Sequence, residues 1–157
     1  MSENTLAVQS REATGRGPAY RMRKSGRIPA VIYGASGSRS LSVDEKEFRK
    51  LMRKLHGGSS IIDVVDEKGG KVSSILQEIS RDPVTDEFIH VDFQEVSADH
   101  EITVSVQLHV VGEATGVKNE NGVLDITLHE IEVKCLPKDL PENITVDEAG
   151  DYLVFVN

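Results

Sequence analysis

The sequence is poor in several residue types, and each shortage excludes a class of protein. Cys135 is the only cysteine, so neither an internal disulfide nor a metal site built on several thiolates can form. Tryptophan is absent and aromatic residues make up 4% of the chain, so any core must be mainly aliphatic. No run approaches the ~20 apolar residues of a membrane-spanning helix. The first residues, Met1 to Asn4, lack the basic and apolar segments of a signal peptide, so a cytoplasmic location is expected.

Positive and negative charges are separated along the chain. Residues 1–60 contain 12 Lys and Arg against five Asp and Glu, whereas residues 61–157 contain six against 21. The net charge of -8 would by itself argue against binding to nucleic acid. Attraction to phosphate is screened within about 10 Å at ordinary salt, however, so the local charge decides whether a polyanion binds. The pattern therefore indicates a basic binding face beside an acidic body.

Apolar residues alternate with polar ones in most of the chain, which predicts a mainly β protein. The loop at residues 66–70 contains glycine and predicts a hairpin between its flanking strands. Residues 97–100 resemble a linker, and the part after them is almost purely β and acidic. Strands are expected at residues 5–9, 30–33, 41–43, 61–65, 72–79, 88–96, 102–110, 124–128 and 131–135.

One helix is well specified by its pattern. Asp44 can cap its start, and Glu47 follows three residues later, as in a capping box. Gly57 and Gly58 are expected to end it. Its apolar stripe has helical spacing and consists of Phe48, Leu51, Met52 and Leu55. Its Lys and Arg residues are better explained as a solvated helix face than as a binding site.

The segment 11–27 is rich in arginine and glycine and has little apolar content, so a loop is predicted there. Guanidinium groups suit RNA because they donate to phosphate or guanine and can stack on bases. Tyr20 and Tyr33 are nearby platforms for a base or ribose. A flexible, solvated loop is the alternative, but cations of one sign in an acidic chain favour a polyanion partner. The cations of this segment are Arg11, Arg16, Arg21, Arg23, Lys24 and Arg27.

The strand at residues 88–96 carries a second group of candidate residues. His90, Asp92 and Gln94 should share one face, and Ile89, Val91 and Phe93 the other. Gln77 lies on a strand that could be its neighbour. A hydrolase could use a His–Asp pair as a base and its orienting group, but no supporting nucleophile or third metal ligand is evident. RNA bases and ribose, or a bland polar face, are the other interpretations.

Several motifs occur in one order along the chain, namely Arg11-x-x-x-Gly15-x-Gly17, the run from Arg21 to Gly34, Arg81-Asp82-Pro83, His90-Val91-Asp92-Phe93 and the run from Cys135 to Glu142. Together they resemble the bacterial large-subunit ribosomal protein L twenty-five family, in its two-domain general stress protein CTC type. The first-domain resemblance covers residues 5–96, and the second-domain motif lies later.

The resemblance implies a mainly β, α+β fold with one or two helices, in which a small N-terminal β-barrel precedes a β-rich C-terminal domain. It implies boundaries at residues 1–96 for the barrel and 97–157 for an acidic second domain. Long-form members continue past the region matching Val146 and Asp147, so this domain is expected to be shortened. Tyr20 stands where some members have another arginine.

The implied function is structural: a non-enzymatic constituent of the large ribosomal subunit that binds 5S ribosomal RNA beside other subunit components. No cofactor, metal, membrane or small-molecule substrate is expected. A stress-induced RNA-binding regulator or chaperone acting off the ribosome is the alternative. Charge clustering and resemblance together give the predicted RNA-binding residues as Arg11, Arg16, Arg21, Arg23, Lys24, Tyr33, Gln77, His90 and Asp92.

Overall fold

The computed structural model of the protein describes residues 4–56, 59–111, 129–147 and 153–154. The first six strands and two helices are β1 (Thr5–Ser10), α1 (Arg16–Lys24), β2 (Arg27–Gly34), β3 (Gly37–Asp44), α2 (Glu45–Leu55), β4 (Ile61–Val65), β5 (Lys71–Arg81) and β6 (Phe88–Glu95). After these come β7 (Ile102–Val111), β8 (Glu130–Cys135), a 3-10 turn (Pro137–Asp139), β9 (Ile144–Asp147) and β10 (Leu153–Val154).

Strands β1 to β6 form a closed barrel in the order β1-β3-β2-β6-β5-β4. Parallel pairing of β1 with β4, which places Leu6 beside Val64, closes it. Because side chains alternate between the two faces of a strand, every second residue can point inward. The barrel core consists of Leu6, Val8, Ile28, Ala30, Ile32, Leu41, Val43, Phe48, Leu51, Ile62, Val64, Phe88, Val91 and Phe93.

Helix α2 forms as its sequence predicts. The Asp44 side chain accepts hydrogen bonds from the backbone N–H groups of Lys46 and Glu47, at 3.0 and 3.1 Å. The apolar stripe packs onto the barrel, with Phe48 fully buried and set edge-on to Phe88 at 5.0 Å. The helix ends at His56, whose φ of 49° is left-handed. Gly57 and Gly58, expected to end it, lie outside the described residues.

The prediction of a loop over residues 11–27 is wrong, because α1 occupies Arg16–Lys24. None of its residues is buried, so the apolar stripe by which a helix is recognised is missing. Pro18 lies in the first turn of α1, where proline is tolerated. Cations in the last turn complement the helix dipole, and the Ser25 hydroxyl donates to the Met22 carbonyl at 2.7 Å.

A second sheet, in the order β10-β9-β7-β8, follows the barrel. Its buried residues on β7 alternate as predicted, at Ile102, Val104 and Val106. They cluster with Ile144 and with Ile75 of barrel strand β5, so the sheet rests on the outside of the barrel. The strand expected at residues 124–128 lies outside the described residues. The prediction of a mainly β fold with few helices, a barrel and a further β-rich part is confirmed.

Candidate nucleic-acid interface

Strands β2, β6 and β5 lie side by side and present a polar surface to solvent, which we call the polar face. Parallel pairing of β2 with β6 places Tyr33 beside Gln94, and antiparallel pairing of β5 with β6 places Glu78 beside Asp92. The Tyr33 ring is 47% exposed, which leaves it free to contact a partner. The polar face consists of Tyr33, Gln77, Glu78, Ser80, His90, Asp92 and Gln94.

Two irregularities in the β5–β6 pairing shape this surface. Leu76 pairs with Phe93 and Glu78 with Asp92, so Gln77 is an extra residue and is exposed. Ser80 pairs with His90 and Arg81 with Phe88, which leaves Ile89 without a partner. The prediction that Ile89 shares a face with Val91 and Phe93 is therefore wrong, because those two are buried and Ile89 is not.

The second irregularity shifts the alternation of side chains at the start of β6. Phe88, which shares the parity of His90, is buried, while Ile89 is 37% exposed. His90 and Asp92 keep their predicted orientation because the pairing is regular again beyond Ile89. The structure thus brings together four of the predicted binding residues, namely Tyr33, Gln77, His90 and Asp92.

Helix α1 supplies cations beside the polar face. Arg23 donates from Nη1 to the backbone carbonyl of Ile89 at 3.3 Å, which ties the helix to the start of β6. Arg16 lies seven residues, or about two helical turns, before Arg23, so both project from the same side of the helix. Arg21 and Lys24 are exposed, and the Lys24 ammonium lies 5.6 Å from the centre of the Tyr20 ring.

Arg11 lies before α1 and is held by the barrel. Its backbone N–H donates to the carbonyl of Ser40 at 3.1 Å, just beyond the β1–β3 ladder. Its Nε is buried and has no acceptor among the described residues. Burial lowers the pKa of the Arg11 guanidinium from its usual range. An arginine nevertheless keeps its charge in a protein, so Arg11 offers an unpaired, charged donor.

Asp92 holds a buried acceptor atom, the counterpart of the buried donor atom of Arg11. Its Oδ1 lies 2.7 Å from Nδ1 of His90, within the range of an ion pair. Oδ1 is buried and forms no hydrogen bond with the described residues, so His90 is its ion-pair neighbour. In the described part of the chain, Arg11 Nε and Asp92 Oδ1 are the only buried side-chain polar atoms that form no hydrogen bond. A buried polar atom without a hydrogen bond costs about 1–3 kcal/mol, and the rest of the Asp92 side chain, which is 24% exposed, stays accessible to a donor from a partner.

The arrangement suits recognition of nucleic-acid bases better than it suits catalysis or metal binding. A partly exposed carboxylate, an exposed aromatic ring, amides and guanidinium groups are the groups that read bases and ribose. Among the described residues no group of three or more His, Cys, Asp and Glu could hold a metal ion. None of the described helices is long and apolar enough to span a membrane.

The predicted RNA-binding residues leave out three residues of the polar face, namely Gln94, Glu78 and Ser80. Gln94 shares the predicted face of His90 and Asp92, and it pairs with Tyr33 and with Ile75, at the end of the polar face next to the second sheet. Glu78 adds a second carboxylate opposite Asp92. The position of Glu78 could not have been found from alternation alone, because the extra residue Gln77 shifts the parity of β5.

Two family models match the chain. The Ribosomal L25p family matches residues 6–93, which span the barrel from its first strand almost to the end of its last. The C-terminal domain of ribosomal protein TL5 matches residues 101–150. The two matches adjoin at the segment 97–100 that resembles a linker in the sequence.

Curated relatives cover most of the chain. The large ribosomal subunit protein bL25 of Halothermothrix orenii is 42% identical over 94% of this chain and 67% of its own length. The bL25 proteins of Endomicrobium trichonymphae and Nitrosomonas europaea are 35% and 38% identical, over 94% and 92% of this chain. The chain spans 61% and 74% of their respective lengths. By both kinds of match, the chain belongs to the Ribosomal L25p family, a family of ribosomal proteins and not of enzymes.

Proposed function

We propose that the chain is a structural constituent of the large ribosomal subunit and binds 5S ribosomal RNA. The relatives' names support the first part, since they are large ribosomal subunit proteins. The resemblance of the sequence motifs to the family supports the second. Its place is then on the ribosome in the cytoplasm, in contact with other components of the large subunit.

The observation that carries the proposal is the convergence of Tyr33, Gln77, His90 and Asp92 on the polar face. All four belong to residues that the sequence had already singled out for RNA. Asp92 is informative because a carboxylate is repelled by phosphate. On an RNA-binding surface it is useful only as an acceptor from base amino groups, imino groups or ribose hydroxyls.

The RNA that fits this surface has accessible base edges. In a regular RNA helix the major groove is too deep and narrow for side chains to read. Residues such as Gln77, His90 and Asp92 therefore imply a helix opened by non-standard pairs. Strands hold such side chains in place more firmly than loops do, which suits base recognition. The cations of α1, including Arg16, Arg21, Arg23 and Lys24, would lie along the adjacent phosphates.

We assign RNA binding to residues 1–96 and not to residues 97–157. The second segment has 12 Asp and Glu against three Lys, so it repels a polyanion. The first segment contains every predicted RNA-binding residue. The two segments share apolar contacts through Ile75, so they are proposed as a binding domain and an attached second domain.

A gel-shift comparison tests the proposal. The full chain is titrated against 5S ribosomal RNA and against an unrelated RNA of the same length, at equal salt. We expect 5S RNA to bind at least tenfold more tightly, a difference of about 1.4 kcal/mol. Equal affinity for both RNAs would contradict specific recognition.

Two other functions are distinguishable from this one. A stress-induced RNA-binding regulator acting off the ribosome would use the same surface, and co-sedimentation with large subunits distinguishes it from a ribosomal constituent. The hydrolase hypothesis built on His90 and Asp92 is set aside, because the family consists of ribosomal proteins and not of enzymes.

A further inference from the structure

A cleft of about 480 Å³ lies outside the polar face and is used by no residue of the proposed interface. It is formed where α2 meets the adjoining ends of β5 and β6. We call it the arginine cleft, and its lining residues are Arg49, Met52, Arg53, Arg81 and Phe88. The sequence pattern alone indicates only a solvated helix face for the cations of α2.

Two guanidinium groups share one aromatic ring in this cleft. The Cζ atoms of Arg49 and Arg81 lie 4.7 and 4.6 Å from the centre of the Phe88 ring. Phe88 is 4% exposed and packs edge-on against Phe48, so the ring is held firmly. Cation–π attraction therefore fixes both arginines at the cleft wall, and the N–H groups that are not used in their contacts with Glu45 and Asp86 stay available.

The positive charge of the cleft is only partly neutralised. Arg49 forms an ion pair with Glu45 at 2.9 Å. Arg81 is 3.4 Å from Asp86, and both side chains are well exposed, so this pair contributes little. Arg53 is exposed and has no ion-pair partner among the described residues. Three convergent guanidinium groups with this excess of positive charge are stabilised by a bound anion, and their planar N–H forks fit a phosphate.

We propose that the arginine cleft binds a backbone phosphate of the same RNA that the polar face recognises. This inference rests on the proposed function and adds a second contact to it. The Arg81–Phe88 pair follows the Ser80–His90 pair directly in the β5–β6 ladder. At ~3.3 Å per residue, the cleft therefore begins about 7 Å along β6 from His90.

The position of α1 favours RNA over an acidic protein segment as the occupant. Arg23 of α1 contacts the carbonyl of Ile89, and Ile89 lies between Phe88 and His90. Cations of α1 and of the cleft thus lie on either side of one short stretch of β6. A strand of RNA that crosses the polar face would reach both without any change in the protein.

The first test replaces Arg53 by Gln in the full chain. Lys50→Gln is the matched control, because it removes the same charge from the same helix at a position that does not line the cleft. We expect Arg53→Gln to weaken binding to 5S RNA about three- to tenfold and to lower the salt dependence by roughly one phosphate contact. Lys50→Gln should change affinity less than about twofold.

The second test maps the RNA near the cleft. Arg53→Cys is combined with Cys135→Ser, an iron chelate is attached to residue 53, and hydroxyl-radical cuts in bound 5S RNA are located. Cuts at one or two adjacent backbone positions are expected. If bound RNA stays uncut and Arg53→Gln has an unchanged affinity for 5S RNA, the proposal that the cleft binds RNA is overturned. The proposed role of the polar face is not affected by that result.

Two further outcomes separate the alternatives. If the unaltered chain does not distinguish 5S RNA from the unrelated RNA, the proposed function fails first and the cleft proposal fails with it. If Arg53→Gln reduces co-sedimentation with large subunits but leaves the affinity for free 5S RNA intact, the occupant is another ribosomal component. That result would also overturn the proposal of an RNA phosphate.

Discussion

The barrel and the second sheet are both built from alternating strands, but they obtain their cores in different ways. The barrel encloses its own core, with Phe93, Val91 and Ile62 fully buried inside it. The second sheet buries one face by resting on the barrel, and Ile75 of β5 belongs to its core. The second sheet thus depends on the barrel for part of its core. One part of the outer wall of the barrel packs against this sheet, and another part forms the polar face.

Strand β5 shows how this division is made. Before the extra residue Gln77, β5 turns Ile75 outward against the second sheet. Beyond it, Glu78 and Ser80 point outward beside Asp92 and His90 on the polar face. One additional residue therefore separates a segment that supports packing from one that is free for recognition. Bulges commonly redirect side chains in this way.

The largest expected difference between the two regions is in RNA binding by isolated segments. Residues 1–96 should bind 5S RNA, whereas residues 97–157 should bind at least about 100-fold more weakly because their charge is negative. Gel shifts measure this, and circular dichroism checks folding. The isolated barrel could be unstable without the second sheet that covers Ile75. In that case the comparison uses the full chain with all four cations of α1 changed to Gln. Equal binding by residues 97–157 would refute the assignment.

Ile75→Ala tests whether the second sheet depends on the barrel. Ile75 is 2% exposed and lies between the two, so its truncation should lower the free energy of unfolding by about 2–5 kcal/mol. Hydrogen exchange should become faster in β7, while affinity for 5S RNA should change little. Ile62→Ala, inside the barrel, is the control and should destabilise the barrel instead. A decrease below about 0.5 kcal/mol for Ile75→Ala would show that the two regions are uncoupled.

Removing a single cation should weaken RNA binding only when that cation belongs to residues 1–96. Arg21→Ala and Arg23→Ala should each weaken binding to 5S RNA by about 1–3 kcal/mol if they contact bases. The slope of log affinity against log salt should fall by about 0.7–0.9 for each phosphate that a cation no longer neutralises. Lys134→Ala in the second sheet, where Lys134 pairs with Glu101 at 2.8 Å, should leave both quantities unchanged. Changes of only a few tenths of a kcal/mol at both arginines would identify them as solvated charges.

Asp92→Asn should weaken binding to 5S RNA selectively, by about 1 kcal/mol, with little change for a regular duplex. The neutral amide replaces one carboxylate acceptor by a donor, so an RNA donor loses its partner. Glu78→Gln is the matched control, since it removes the neighbouring negative charge from an exposed position. It should improve binding to both RNAs slightly. If Asp92→Asn improves both equally, Asp92 is a background charge and makes no specific contact.

The smallest effect concerns the dependence of stability on pH. Backbone N–H groups of Thr85 and Val84 donate to the Asp82 carboxylate and lower the pKa of Asp82 below its usual 3.8. The resulting stabilisation of the β5–β6 turn is present above that value and is lost as pH falls through the lowered pKa. Asp82→Ala should therefore be destabilising near neutral pH and nearly neutral in strong acid, as urea unfolding at several pH values would measure. A destabilisation independent of pH would contradict this cause.

The second sheet should respond at the opposite end of the pH scale. A hydrogen bond and the charge of Glu101 raise the pKa of Lys134 above its usual 10.5. The stability gained from that pair is present below the usual pKa and is lost as pH rises through the raised value. Lys134→Ala should thus matter near neutral pH and not in strong alkali.

Helix α2 and most strands were predictable because local patterns specify them. Asp44 and the stripe from Phe48 to Leu55 indicate a capped amphipathic helix, and α2 follows that pattern. Helix α1 was missed because it buries no side chain and so leaves no periodic stripe. It is stabilised by hydrogen bonds of Ser25 at its C-terminal end and by contacts such as that of Arg23 with the Ile89 carbonyl, which is distant in sequence. Ile89 was misplaced because an irregular pairing with β5 changes its side, and pairing is not encoded in the alternation of one strand.

By itself the sequence determined the mainly β class, the separation of charge and the residue types available for contact with RNA. These follow from side-chain chemistry and from spacing along one element. Only the tertiary structure decided which residues share a surface, because neighbours such as Tyr33 and Gln94 are joined by pairing between distant strands. It also decided that Arg11 and Asp92 each hold a buried polar atom without a hydrogen bond, and that Arg49, Arg53 and Arg81 converge on one cleft. Burial and convergence depend on the closure of the barrel, which no local pattern contains.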